Sequence, residues 1–127
     1  MNNYPKDRKY HHEHTWTKIE GNVFSVGISF FAQEQLGEVL FIELPVTGDK
    51  ITEGIPFGTI ESAKVISDLI SPLNGEILEV NQELENKPNL VNDDPYGQGW
   101  IVKIRVDKMS EFDNLLDAEG YICCIEQ

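Results

Sequence analysis

The stretch Gly58-Thr59-Ile60-Glu61-Ser62-Ala63-Lys64-Val65-Ile66-Ser67-Asp68-Leu69-Ile70 decides how this chain is read. On both sides of Ser62-Ala63-Lys64, apolar residues alternate with polar ones or run briefly together with β-branched members. That is the pattern of two short strands joined by a tight turn. Ser62 and Ala63 are small enough for the tip, and the lysine beside them is left to project into water. An enzyme that must find and modify one lysine among eight needs that geometry. Most surface lysines only keep a protein soluble, so position alone does not single out Lys64; its neighbours do.

Working outward, the same strand-and-turn grammar continues in both directions. Thr15 to Ile28 alternates in two runs around Gly21-Asn22, a pair that tolerates positive φ and so predicts a β-hairpin. Ser29 predicts a cap for a short helix over Phe30 to Leu36, stopped by Gly37. Glu38 to Leu44 reads as a strand ended by Pro45, and Gly48-Asp49 as a turn. Asn74-Gly75 leads into a strand over Glu76 to Val80, followed by a helical turn over Asn81 to Asn86. Pro88 to Gly99 reads as a loop, and Trp100 to Val106 as another strand. Ser110 predicts the cap of a last helix with Phe112, Leu115 and Leu116 on its apolar face. Many short strands with regular turn signals predict a sandwich or flattened barrel with few, peripheral helices.

With 127 residues the chain is expected to form one domain over 1–127. Residues 1–10 read as a flexible extension and 110–127 as a C-terminal helix and tail. No apolar run approaches the length of a membrane span, and the polar start holds no signal-peptide core, so the expected address is the cytoplasm. There are 22 acidic residues against 10 basic, a net charge of −12. Nucleic acid and anionic membranes are therefore poor partners, and basic docking faces are good ones. Cys123 and Cys124 are adjacent, with Cα atoms about 3.8 Å apart, too close for an unstrained bridge. A reduced compartment is the simpler reading.

No catalytic set stands out. There is no glycine-rich phosphate loop, nucleophile elbow or HExxH pattern. His11, His12 and His14 form the one metal-like cluster, with alternate residues on a shared strand face. No second cluster completes a site, so no metal is expected and a polar N-terminal edge strand is the preferred reading. Trp16, Phe24, Phe30, Phe31, Phe41, Phe57 and Trp100 read mostly as core.

Glu61-Ser62-Ala63-Lys64-Val65-Ile66-Ser67-Asp68 resembles the lipoyl-attachment hairpin of the glycine cleavage system H protein family. The likeness continues through Ser71-Pro72-Leu73-Asn74-Gly75-Glu76, Leu90-Val91-Asn92-Asp93-Asp94-Pro95-Tyr96-Gly97 and Gly99-Trp100. Upstream it includes Val26-Gly27-Ile28, Leu36-Gly37-Glu38 and Glu43-Leu44-Pro45, so it spans nearly the whole chain. Biotin carriers share the hairpin but place methionine on both sides of the lysine, where this chain has Ala63 and Val65.

The resemblance implies a mainly β fold, the lipoyl/biotinyl-like barrel-sandwich hybrid. It implies a carrier and not an enzyme, with lipoic acid in amide linkage to Lys64, attached by a lipoate ligase or lipoyltransferase. It implies service to the P, T and L proteins of glycine cleavage, carrying an aminomethyl group and electrons. Glu61, Ser62 and Asp68 would then serve hairpin recognition or the arm pocket. The family usually reads His-Glu-Trp near its N-terminus, and this chain has His14-Thr15-Trp16. Thr15 supplies a hydroxyl but no charge for a cationic adduct. Glu13, one position away, is expected on the opposite strand face, a low-ranking pocket candidate with Thr15.

Cys123 and Cys124 are the second departure, read either as idle thiols or as groups for thiol exchange with the arm. They and Thr15 keep open an alternative, a lipoate-binding carrier working with a heterodisulfide-reductase-like complex in sulfur oxidation. A second alternative is a structural or docking module that is never modified.

Overall fold

The computed structural model describes residues 3–126. Met1, Asn2 and Gln127, the outermost parts of the expected extension and tail, lie outside the described residues. Two antiparallel sheets enclose the core. The larger holds β1 (Lys9–Tyr10), β2 (Thr15–Glu20), β3 (Val23–Ile28), β9 (Val102–Val106), β8 (Gly75–Val80) and β5 (Lys50–Ile51), paired in that order. The smaller pairs β4 (Val39–Glu43), β6 (Pro56–Ser62) and β7 (Ile66–Ile70). Five short helices lie at the periphery: α1 (Phe30–Leu36), α2 (Glu83–Asn86), α3 (Leu90–Asp93), α4 (Ser110–Asp113) and α5 (Ala118–Ile125). This is the mainly β barrel-sandwich hybrid that the strand pattern and the resemblance imply.

Alternation decides which side chains meet between the sheets. Val26, Ile28, Ile77, Val102 and Ile104 from the larger sheet face Val39, Ile42, Ile60 and Leu69 from the smaller one, all buried in one cluster. The β2–β3 hairpin turns where expected, with Gly21 at φ 68°. Ser29 caps α1 by accepting from the Ala32 amide at 3.1 Å, and Gly37 ends it at φ 74°. Trp16 is paired with Gly27 across β2–β3 and lays its indole over that glycine, donating from Nε1 to Pro95 O at 3.0 Å. A methyl group on Gly27 would stand 2.6 Å from Trp16 Cζ2, so only glycine fits there.

Several expectations are corrected. Pro88 to Gly99 is not all loop: α3 forms within it, and Asn92 Oδ1 accepts from the Val39 amide at 2.8 Å. Ser110 caps nothing. Met109 holds the cap position of α4 without a side-chain bond, and a separate helix α5 is capped by Asp117 through the Gly120 amide at 2.7 Å. Leu116 is not on a helix face either; it exchanges both backbone hydrogen bonds with Tyr10, at 2.7 and 2.9 Å. That bridge stitches the C-terminal segment to β1.

Residues 3–10 are packed instead of forming a flexible extension. Tyr10 is fully buried, and its hydroxyl donates to Pro5 O at 2.7 Å. Arg8 is buried with its guanidinium 4.7 Å from the Trp16 ring and 5.1 Å from the Tyr96 ring. Charged composition hid this, because a guanidinium stacked on aromatic faces is a comfortable buried cation. Of the aromatics read as core, Trp16 and Phe24 are buried, but Phe41 is 56% exposed on β4.

Gly27→Ala is expected to cost about 1–3 kcal/mol through overpacking against Trp16. A lower urea midpoint with an unchanged slope would show it; an unchanged midpoint would mean that the indole is free to move aside.

Candidate functional site

The β6–β7 hairpin carries Lys64 at its tip, and Ser62 makes the tip rigid. Ser62 is buried, and its amide donates to Val65 O at 2.9 Å. Its Oγ accepts from the amides of Lys64 at 3.2 Å and Val65 at 3.3 Å. A short polar side chain bonding backbone groups two and three residues ahead is a standard way to fix a turn. Lys64 is exposed, and its stem crosses Gly37: a methyl group there would stand 3.4 Å from Lys64 Cε. The tip is therefore accessible but not contact-free. Glu61 is exposed and sits in register between Phe41 and Ile66, both also exposed.

Beside the tip lies a cavity of about 290 Å³. Ile28, Phe31, Ala32, Leu36, Ile60, Val65 and Leu69 supply apolar walls; Glu13, His14, Thr15, Gln35, Ser67 and Asp68 supply polar ones. Strand parity expected Glu13 to point away from Thr15, yet both line this cavity. Parity does not apply, because β2 begins only at Thr15 and the backbone turns at His14 with φ 79°. This left-handed conformation is uncommon for a residue with a Cβ. It is held by the His14 amide donating to His11 O at 2.9 Å and the His14 carbonyl accepting from Ser29 N at 3.0 Å. The Thr15 hydroxyl is not free for a ligand, since it is buried and donates to Ile70 O at 3.0 Å.

His14 is the wall residue that sequence reasoning passed over, having weighed it only as a metal ligand. Its ring packs 4.9 Å from Phe31, and Nδ1 lies 2.8 Å from the Tyr121 hydroxyl. Burial holds its pKa below the ordinary histidine value, partly offset by Glu13. Burial likewise raises the Tyr121 hydroxyl far out of the physiological range. The other histidines serve elsewhere. His11 is buried, accepts from the Glu13 amide on Nδ1 at 3.0 Å and places Nε2 2.6 Å from Glu53. His11 to His14 form a turn and not an edge strand, and no metal-binding group is found among the described residues.

The cavity combines an apolar lining with two carboxylates, Glu13 and Asp68, which suits a ligand that has both an alkyl part and a cationic group. Cys123 and Cys124 are free and exposed on α5, and neither lines the cavity.

Comparison with known proteins bears on this arrangement. The family model described as glycine cleavage H-protein matches residues 8–127. The glycine cleavage system H protein of Symbiobacterium thermophilum is 50% identical over 121 residues, covering 95% of this chain and 94% of its own. The protein of the same name from Carboxydothermus hydrogenoformans is 47% identical over 127 residues, covering 100% and 98%. The crystal structure of a glycine cleavage system H protein from Mycobacterium marinum superposes with a TM-score of 0.88 at 35% identity, covering 97% of this chain and 99% of that one.

Ser62→Ala removes the acceptor that both tip amides share. Amide exchange at Lys64 and Val65 is expected to quicken roughly fivefold, the equivalent of about 1 kcal/mol, while core amides stay unchanged. Unchanged exchange at the tip would show that the strands alone fix it.

Proposed function

The chain belongs to the glycine cleavage H-protein family, and on that premise we propose that Lys64 is its lipoyl-attachment residue and the adjacent cavity the resting place of the arm. The chain is a carrier subunit of the glycine cleavage system and not itself an enzyme. The observation that carries the assignment is the exposed lysine on a Ser62-braced tip, one residue from Val65 in the cavity wall.

Bound lipoic acid supplies a dithiolane, a two-electron acceptor whose thiolates are good nucleophiles and leaving groups. The chain's own residues do the rest. The hairpin presents Lys64 Nζ to a lipoate ligase or lipoyltransferase, with Glu61 exposed alongside it. Tethering through the lysine stem raises the local concentration of the arm at each partner site. Phe31, Leu36, Ile60 and Val65 shelter the apolar part of the arm from water. Glu13 and Asp68 favour a cationic aminomethyl head through their charge, a task for which Thr15 has neither charge nor a free hydroxyl.

The partners under this reading are the P, T and L proteins, whose docking faces are expected to be basic against a carrier of net charge −12. Named relatives that span nearly the full chain favour glycine cleavage over the sulfur-oxidation alternative and over an unmodified docking module. A cytoplasmic address belongs to the same proposal. It is supported by two free cysteines, and no helix among the described residues is long and apolar enough to cross a membrane.

Incubation with lipoate, ATP and a lipoate ligase is expected to add a single lipoyl mass to the wild-type chain and none to Lys64→Arg. The arginine variant should keep the wild-type melting temperature, because the tip lies outside the core. A mass gain surviving in Lys64→Arg would overturn the assignment.

A further inference from the structure

His14 has a proton arrangement that the fold dictates, and this gives the cavity a charge rule. Ser29 Oγ already accepts from the Ala32 amide at 3.1 Å and lies 2.7 Å from the Tyr121 hydroxyl, which lies 2.8 Å from His14 Nδ1. Ser29 and Tyr121 are both fully buried. Two arrangements are available to this chain of groups. In one, Ser29 donates to Tyr121 and Tyr121 donates to Nδ1, so each hydroxyl hydrogen has an acceptor. In the other, Nδ1–H donates to Tyr121 and Tyr121 donates to Ser29. The Ser29 hydrogen then has no acceptor among the described residues. A buried donor left without a partner costs about 1–3 kcal/mol, so the first arrangement prevails.

The first arrangement has a consequence for charge. Nδ1 is an acceptor, so the imidazole is neutral and its proton sits on Nε2. Protonating the ring requires a hydrogen on Nδ1 and forces the second, costlier arrangement. Nδ1 faces the buried Tyr121 hydroxyl, the ring lines the cavity, and Nε2 makes no hydrogen bond to a described residue.

We propose that the Ser29–Tyr121–His14 chain is a specificity device that keeps His14 neutral, so that the cavity admits a cationic head on the arm and expels it when His14 takes up a proton. This rests on the lipoyl reading of Lys64. The groups about His14 agree with it. On its own segment Glu13 favours protonation while His11 and His12 oppose it. Thr15 from β2, Phe31 and Gln35 from α1, and Tyr121 from α5 are uncharged, and Asp68 from β7 adds a second carboxylate. With the ring neutral the wall holds two carboxylates and no cation. With the ring charged, a like charge faces the ammonium in a low-dielectric site.

The test has two parts. In the unmodified protein, ¹⁵N NMR of labelled histidine is expected to show His14 as the Nε2–H tautomer. In Tyr121→Phe its titration midpoint should rise by roughly one unit, because the donor that favours the neutral ring is gone. An Nδ1–H tautomer would overturn the proposal outright. In the second part, the protein lipoylated on Lys64 is reduced and loaded by condensing an arm thiol with formaldehyde and ammonium, which forms the S–CH2–NH3⁺ group and releases water. Loading should lower the His14 midpoint relative to the disulfide form.

Retention of the group, read by intact mass, should fall in the wild type only as the pH drops below the ordinary histidine range, and stay flat over the same range in His14→Asn. Asparagine tolerates positive φ and never titrates. A His14 midpoint that loading leaves unmoved, or the same fall in His14→Asn, would refute the charge rule while leaving the carrier reading intact. Absence of the arm from Lys64 would refute the carrier reading instead, and the tautomer result would still stand on its own.

Discussion

The hydrogen bonds that Ser62 Oγ accepts from the amides of Lys64 and Val65 are the constraint on which the presentation of Lys64 at the hairpin tip depends. A hairpin tip in water has no tertiary contacts to spare, and its backbone would otherwise sample many conformations. Ser62 supplies the missing order from within: its side chain is buried, its oxygen faces the turn, and the lysine two residues on is left outside. The strands behind it are fixed by Ile60 and Leu69, which point into the core shared by the two sheets. Rigidity in the scaffold and freedom in the lysine stem are thus separated at one residue.

The cavity beside the tip is built by elements far apart in the sequence. The turn at His14, the helix α1 and the edge strand β7 each contribute one wall. Ser29 joins two of these walls, since it caps α1 and its amide donates to the carbonyl of His14. Its hydroxyl also meets Tyr121, so the C-terminal helix braces the same corner. Under the proposed reading, this largely apolar lining with two carboxylates would complement an arm that is oily along its length and charged at its tip. Thr15 turns its side chain inward to satisfy Ile70 O, while Glu13, beside the turn, lines the cavity.

Much of this was legible in the sequence, and the parts that were not share a physical cause. Hairpins with glycine or asparagine at their turns, the Ser29-capped helix and the exposed lysine follow from local chemistry, and the structure holds them where that chemistry puts them. Two-residue strands such as β1 and β5 have no periodicity to read. α3 is a single turn in a stretch rich in turn formers, held by Asn92 reaching back to Val39, a contact that only the fold creates. The packing of residues 3–10 depends on Arg8 finding two aromatic faces. The side to which Glu13 points could not be inferred from alternation, because His14, at positive φ, turns the backbone just before β2 begins at Thr15. Lys64 stands out in the sequence because its signal lies in adjacent residues; the surroundings of His14 do not, because its partners, Tyr121 and Ser29, lie 107 and 15 positions away.

A crystal structure of the lipoylated protein would test this account most directly. The account expects continuous density from Lys64 Nζ into the cavity, with the ring of the arm between Phe31 and Val65 and no modification at the other seven lysines. Density for the arm on a different lysine, or an arm bound to Lys64 but seated elsewhere on the surface with this cavity filled by ordered water, would contradict it.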